Sequence, residues 1–182
     1  MSETLPPALE TAVVAGGCFW CTEAVFKRLR GVVSVRPGYT GGHVPDPDYR
    51  SVCTGRTGHA EAVEVRFDPG EISYAELLDI FLATHDPTQL NRQGNDIGPQ
   101  YRSAIFPQTK AQEAEARAAI ARAQAQWPAP IVTTIEPAGP FWPAEPEHHD
   151  YYDRVGDRNP YCTVVIAPKL RKLAEAHAGR LK

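Results

Sequence analysis

Residues 11–31 read TAVVAGGCFWCTEAVFKRLRG. The apolar run 11–15 has the length of a short strand and stops at Gly16-Gly17, a pair that punctuates extended chain. Over 18–30 the apolar positions include Phe19, Phe26 and Leu29, while Lys27, Arg28 and Arg30 sit in the last turns, where the helix dipole favours cations. Gly31 then supplies a stop. The stretch predicts one βα unit with a glycine-rich corner.

Outward from that unit, residues 32–39 and 60–68 alternate apolar and polar side chains and bracket a Pro/Gly-rich loop over 40–58. Residues 73–85 predict a helix: Ser73 and Glu76 form a capping-box pattern, and Tyr74, Leu77, Leu78, Phe81 and Leu82 fall at i, i+3, i+4, i+7 and i+8. A strand over 101–106, a helix over 109–126 built from good helix formers, and a strand over 131–135 follow. Beyond Pro137 the expectation is irregular chain, with short helices near 146–155 and after Pro168. Several strands are adjacent in sequence, so the pattern predicts an α+β fold, a sheet with helices packed on it, rather than a doubly wound sheet.

A length of 182 residues and 42% hydrophobic content suit a single catalytic domain over 1–182, with 1–10 expected to be poorly ordered. The net charge of -3 comes from acids and bases spread along the chain, which points to no nucleic acid and no anionic membrane as partner. No apolar run approaches the roughly 20 residues of a membrane span, and MSETLPPALE carries acids where a signal peptide carries Lys or Arg. The expectation is a cytoplasmic monomer. Four cysteines, at 18, 21, 53 and 162, are too few for a disulfide scaffold and in a reducing compartment are thiols at rest.

Cys18 heads the predicted helix, where free backbone N–H groups and the positive dipole end favour thiolate. A buried cysteine at a strand–helix corner, with Phe19 and Trp20 in the core, fits the bare local pattern equally well. Cys18 and Cys21 form a CxxC pair, shared by thioredoxin-like sites and by half of a zinc site. Zinc needs a second pair of ligands; Cys53 with His59, or His148 with His149, is present without the spacing of a known site, and no metal is expected. Glu61 shares a strand face with Val63, Val65 and Phe67, so burial there would raise its pKa and let it hold a proton near neutral pH; a strand beginning after Glu61 would leave it solvated. Tyr49, Asp96 and Tyr101 lie in loops or at a strand edge.

Together these pieces resemble the A-type peptide methionine sulfoxide reductases. The motifs are GGCFW at 16–20, PGYTGG at 37–42, TGHAEAVEVRFDP at 57–69, HDPT at 85–88, QGNDIGPQYRSAIF at 93–106, FWPAEPEHHDYY at 141–152 and NPYC at 159–162. The first ten residues and the tail after about 167 fall outside the resemblance. It implies a ferredoxin-like α/β plait core with a long irregular C-terminal segment. It also implies that Cys18 attacks the sulfoxide, that Glu61 protonates the oxygen and that Tyr49 and Tyr101 donate hydrogen bonds to it. Phe19 and Trp20 would then hold the S-methyl group, Asp96 would orient the substrate, and the S epimer would be reduced, free or in oxidised proteins. No cofactor is implied beyond an external dithiol such as thioredoxin. Cys21 departs from the commoner GCFWG form, so two cysteines compete to resolve a Cys18 sulfenic acid: Cys21, one helical turn away and slightly preferred, and Cys162; Cys53 is a weaker third. The competing function is a thioredoxin-like CxxC disulfide oxidoreductase, and behind it a zinc-stabilised binding module.

Overall fold

The computed structural model describes residues 8–182. The expectation of poor order at the N-terminus lies, for residues 1–7, outside the described residues; Glu10 already pairs with Phe67. The opening βα unit forms as expected: strand β1 (Glu10–Gly16) runs into helix α1 (Phe19–Lys27), with Cys18 as an extended N-cap residue. The corner needs glycine. Gly17 has φ +89°, and a Cβ there would lie 2.8 Å from Gln93 Cβ.

Strand β2 (Val32–Thr40), helix α2 (Tyr49–Cys53), strand β3 (Ala60–Phe67) and helix α3 (Tyr74–Thr84) follow. Ser73 caps α3 by accepting from Glu76 N at 3.1 Å. The expected reciprocal arm gives way to an ion pair between Glu76 and Arg180. Next come β4 (Arg92–Gln93) and β5 (Asp96–Ile97), a small antiparallel hairpin inside what the sequence predicts as loop. Strand β6 (Ser103–Ile105) is shorter than expected because Pro99–Tyr101 form a 3-10 turn. Helix α4 (Lys110–Gln124) is followed by β7 (Thr134–Ile135) and β8 (Trp142–Pro143), a pairing not expected after Pro137. A 3-10 turn (Pro146–His148) and α5 (Tyr151–Val155) occupy the region predicted as one short helix, divided by Asp150 at φ 54°. The chain closes with a π-helical turn (Cys162–Ile166) and α6 (Ala167–Ala176), which starts before Pro168.

The architecture is mixed α/β around a six-stranded sheet of order β7-β6-β1-β3-β2-β8. All neighbours are antiparallel except β6 and β7. One sheet face, with Val14, Val63, Val65 and Phe67, belongs to the main core beneath α1, α3 and α4; the other carries small residues, Ala15, Ala60, Ala62 and Ala104, against Phe106 and Phe141. Phe19, Phe26, Phe67 and Phe81 are fully buried, and at about 1.5–3 kcal/mol per large apolar side chain this packing anchors both ends of α1. That anchoring sets Cys18 at the mouth of the sheet, beside β3. Among the described residues no helix is long and apolar enough to cross a membrane.

Candidate active site

Glu61 lies on the main-core face of β3, as its alternation predicts, and is only 1% exposed. Its Oε1 accepts from Phe19 N at 3.2 Å, while Oε2 is buried with no hydrogen-bond partner. Burial is the first cause that raises its pKa, to about 8. Near neutral pH it is therefore largely a neutral acid.

Cys18 behaves differently from the expectation drawn from its helix position. Its pKa is raised well above the usual thiol value, by burial first, then by the neighbouring Cys21 and by Glu61. The Trp20 backbone N–H, the favourable helix-terminus contribution, is outweighed, and Phe19 N–H is directed at Glu61. At rest Cys18 is a thiol. Within the pair the thiolate is favoured on Cys21, which is lowered to about 7, mainly by its interaction with Cys18, with the Lys169 charge adding to the effect.

Tyr49 and Tyr101 come together around Glu61, although β3, α3 and long loops separate them in the sequence. Tyr49 opens α2, whose DYRS box is complete: Ser51 N donates to Asp48 Oδ1 at 2.8 Å and Asp48 N to Ser51 Oγ at 3.1 Å. Tyr101 ends the 3-10 turn rather than starting a strand. Burial raises both phenols, with Glu61 next in effect, so both remain hydroxyl donors. The Cys53 thiol is exposed, and its pKa is raised, by burial of its inner side first.

Phe19 stacks on Tyr49 at 6.2 Å, and Trp20 is half-buried beside it. The rest of the aromatic wall was not anticipated. His148 lies 4.4 Å from Tyr49 and 5.3 Å from Phe19 between ring centroids, and its Nδ1 accepts from Trp20 Nε1 at 3.1 Å. Tyr151 stacks on Trp20 at 3.9 Å. Glu145 accepts from Tyr39 Oη at 3.0 Å and from Tyr49 N at 3.1 Å, tying α2 to the C-terminal segment. Asp96 accepts from Tyr161 Oη at 2.7 Å, and that same hydroxyl lies 3.5 Å from Cys21 Sγ. The one signal for these residues was the density of aromatics and histidines in 141–162; their partners are too distant in sequence for any periodicity to show.

Cys162 is 1% exposed and near enough for Cys21 to raise its pKa, after burial. His59 accepts from Gly42 N through Nδ1 and faces Val44 O with Nε2 at 2.7 Å, so both ring nitrogens are engaged by backbone and it does not join Cys53 in a ligand set. Glu145, Glu147 and His148 bring one potential metal ligand each within 4.8 Å of one another. Glu145 and His148 are already bonded to Tyr39, Tyr49 and Trp20, which makes this group a hydrogen-bonded frame.

Comparison with known proteins agrees with this chemistry. The family described as peptide methionine sulfoxide reductase matches residues 10–181, so the match continues through α6, past the expected limit near 167. Peptide methionine sulfoxide reductase MsrA of Erwinia tasmaniensis is 60% identical over 172 residues, covering 94% of this chain and 97% of its own. Among solved structures, methionine sulfoxide reductase A of Corynebacterium diphtheriae is 40% identical, with a TM-score of 0.74 over 82% of this chain and 76% of that one. Mxr1 from Saccharomyces cerevisiae in reduced form is 34% identical, with a TM-score of 0.77 over 87% and 93%. The same yeast protein in complex with Trx2 gives 26% identity and a TM-score of 0.55 over 83% and 92%. These matches do not favour the thioredoxin-like interpretation of the CxxC pair. With nearly the whole length matched in sequence and in structure, the chain belongs to the peptide methionine sulfoxide reductase family.

Proposed function

We infer that this protein reduces methionine S-sulfoxide, free or in oxidised proteins, to methionine at the expense of thiols. The observation that carries the mechanism is Glu61: a carboxyl 1% exposed, one oxygen unpartnered, whose charge bears directly on the buried Cys18 thiol. A sulfoxide sulfur is electrophilic, but oxide leaves only if it is protonated. In this reading Cys18 attacks the sulfur as thiolate, Glu61 delivers a proton to the oxygen, and Tyr49 and Tyr101 hydrogen-bond to it. Phe19 and Trp20 hold the S-methyl group, and Asp96, through Tyr161, orients the substrate. The net step moves one oxygen: the substrate sulfur is reduced by two electrons and Cys18 becomes a sulfenic acid. Because Cys18 rests as a thiol, attack requires its proton to leave, and the neighbouring Cys21, lowered to about 7, is placed to take it.

Cys21 is the preferred resolving residue. Its place one helical turn after Cys18, with both cysteines lining one opening, supports direct closure of a Cys18–Cys21 disulfide with loss of water. Cys162, also buried and within electrostatic reach of Cys21, is the second candidate. An external dithiol, of which the yeast relative's partner Trx2 is the model, would restore the thiols without a resident cofactor. Such recycling suits the cytoplasm, and we take 1–182 as one catalytic domain acting as a monomer. The order β6-β1-β3-β2, with α1 and α3 as the two crossovers, supports a ferredoxin-like plait as the core. Incubation with each sulfoxide epimer and dithiothreitol, with chromatography of methionine, tests the activity. Methionine from the S epimer alone is expected; none from either rejects it.

A further inference from the structure

Lys169, near the start of α6, is half-buried and forms no ion pair among the described residues. It lines a 200 Å³ opening together with Cys18, Cys21, Asp96 and Tyr161, and on its other side it borders the small cavity behind Cys21 and His85. Asp96 in that opening makes no ion pair with Lys169 and already accepts from Tyr161, which leaves the Cys21 sulfur as the counter-charge for the cation. We propose that Lys169 is the counter-ion of the Cys21 thiolate in recycling, making Cys21 first the resolving nucleophile and then the leaving group, so that the external dithiol attacks Cys18. This rests on Cys21 being the resolving cysteine.

The chemistry balances in two steps. The Cys21 thiolate attacks the Cys18 sulfur of the sulfenic acid; the S–O bond breaks, its electron pair leaves on oxygen, and solvent in the opening protonates the hydroxide to water. A thiolate of the external dithiol then attacks the Cys18 sulfur, the S–S bond breaks, and its pair departs on Cys21 beside the Lys169 ammonium. The dithiol's second thiolate frees Cys18 as it closes the dithiol's own disulfide. The other groups around Cys21 do not supply this positive charge. Burial keeps His85 neutral, with its pKa lowered to about 4; Asp96 and Glu61 are acids; and the Tyr161 hydroxyl donates to Asp96.

The test compares Lys169→Gln, Lys169→Arg and Lys172→Gln, the last an exposed lysine of the same helix. Disulfide closure is followed by thiol loss after one equivalent of methionine sulfoxide, from pH 6 to 10, and reopening with dithiothreitol. If Lys169→Gln raises the Cys21 midpoint by about one pH unit, thiolate falls about tenfold at pH 6. With a Brønsted coefficient of about 0.5 the more basic thiolate recovers half of that on a logarithmic scale. Closure should then be about threefold slower than wild type at pH 6 and about threefold faster above pH 9, a crossing that mere loss of packing would not produce. Reopening should be slower at every pH, Lys169→Arg should restore both, and Lys172→Gln should match wild type. Glutathione should form its mixed disulfide on Cys18. A Lys169→Gln profile parallel to wild type, a mixed disulfide on Cys21, or a Cys18–Cys162 bridge overturns the inference. Methionine release by wild type tells these failures apart from failure of the sulfoxide-reductase assignment, which would abolish release itself.

Discussion

Replacing Glu61 by Gln keeps the shape and a hydrogen-bond donor but removes the proton that leaves. Burial raises the carboxyl from 4.5 to about 8, so at pH 7 about 90% of Glu61 is protonated, against about 0.3% for an ordinary glutamic acid. The fold thus enriches the acid form roughly 300-fold, within the 10² to 10⁴ typical of general acid catalysis. Glu61→Gln should slow single-turnover methionine formation by about 10² to 10³ at pH 7 while still binding substrate. As the pH rises above about 8 wild type loses the same proton, and its advantage over the variant should shrink about tenfold per pH unit. Rapid mixing with limiting methionine S-sulfoxide, quenched and assayed for methionine from pH 5.5 to 9.5, measures this. If the two proteins react within about threefold of each other throughout, the proton comes from another group and Glu61 is a structural acid.

Cys18→Ser should abolish methionine release while circular dichroism stays that of wild type, because the hydroxyl is nearly isosteric but a poor nucleophile here; measurable turnover in the folded variant refutes the attacking role. Peptide mapping after one equivalent of substrate should find Cys18–Cys21, and Cys162→Ser should retain turnover with a thioredoxin-like dithiol where Cys21→Ser loses it; the opposite pattern transfers resolution to Cys162. Tyr49→Phe or Tyr101→Phe alone should slow the single-turnover rate less than Glu61→Gln, because the other donors remain; an equal loss would put the proton source on a tyrosine. Stability should fall on acidification through His85, which burial lowers from 6.5 to about 4. Below 6.5 the unfolded chain takes up a proton that the folded chain refuses, so the contribution is whole above 6.5 and lost progressively as pH falls through 4. Urea midpoints from pH 7.5 to 4 should show a decline that His85→Gln reduces; an unchanged slope denies His85 that part.

The elements legible in the sequence are those whose signal is carried by their own residues. β3 and α3 each show a face with its own period, β1 and α1 are buried on nearly every side, and Glu61 is visible because an acid interrupts an apolar stripe. Tyr49's helix was missed because five residues are too few for a period, and its marker, the Asp48–Ser51 box, lay inside a Pro/Gly-rich loop. β8 has no pattern of its own: two residues pair with Gly38 and Tyr39 a hundred positions earlier. The ionisation of Cys18 was misjudged for a related reason. A helix N-terminus is a local argument, whereas burial, Cys21 and a carboxyl forty-three positions away set the balance.

This difference divides the candidate site itself. The groups assigned to the sulfoxide, Cys18, Phe19, Trp20, Tyr49 and Glu61, come from the first third of the chain, with Asp96 and Tyr101 following, and all but Tyr49 stand in a motif short enough to be seen. The groups that surround them, His148, Tyr151, Tyr161 and Lys169, come from a C-terminal segment of short turns and helices, and their placement depends on hydrogen bonds and ring contacts made with residues elsewhere. Trp20 and His148 are 128 positions apart, Cys21 and Tyr161 140. Chemistry that depends on a residue's own type survives in sequence; chemistry that depends on what is packed against it does not. For this protein the reduction of the sulfoxide falls largely in the first class, and the return of the thiols, governed by what lies beside Cys21, falls in the second.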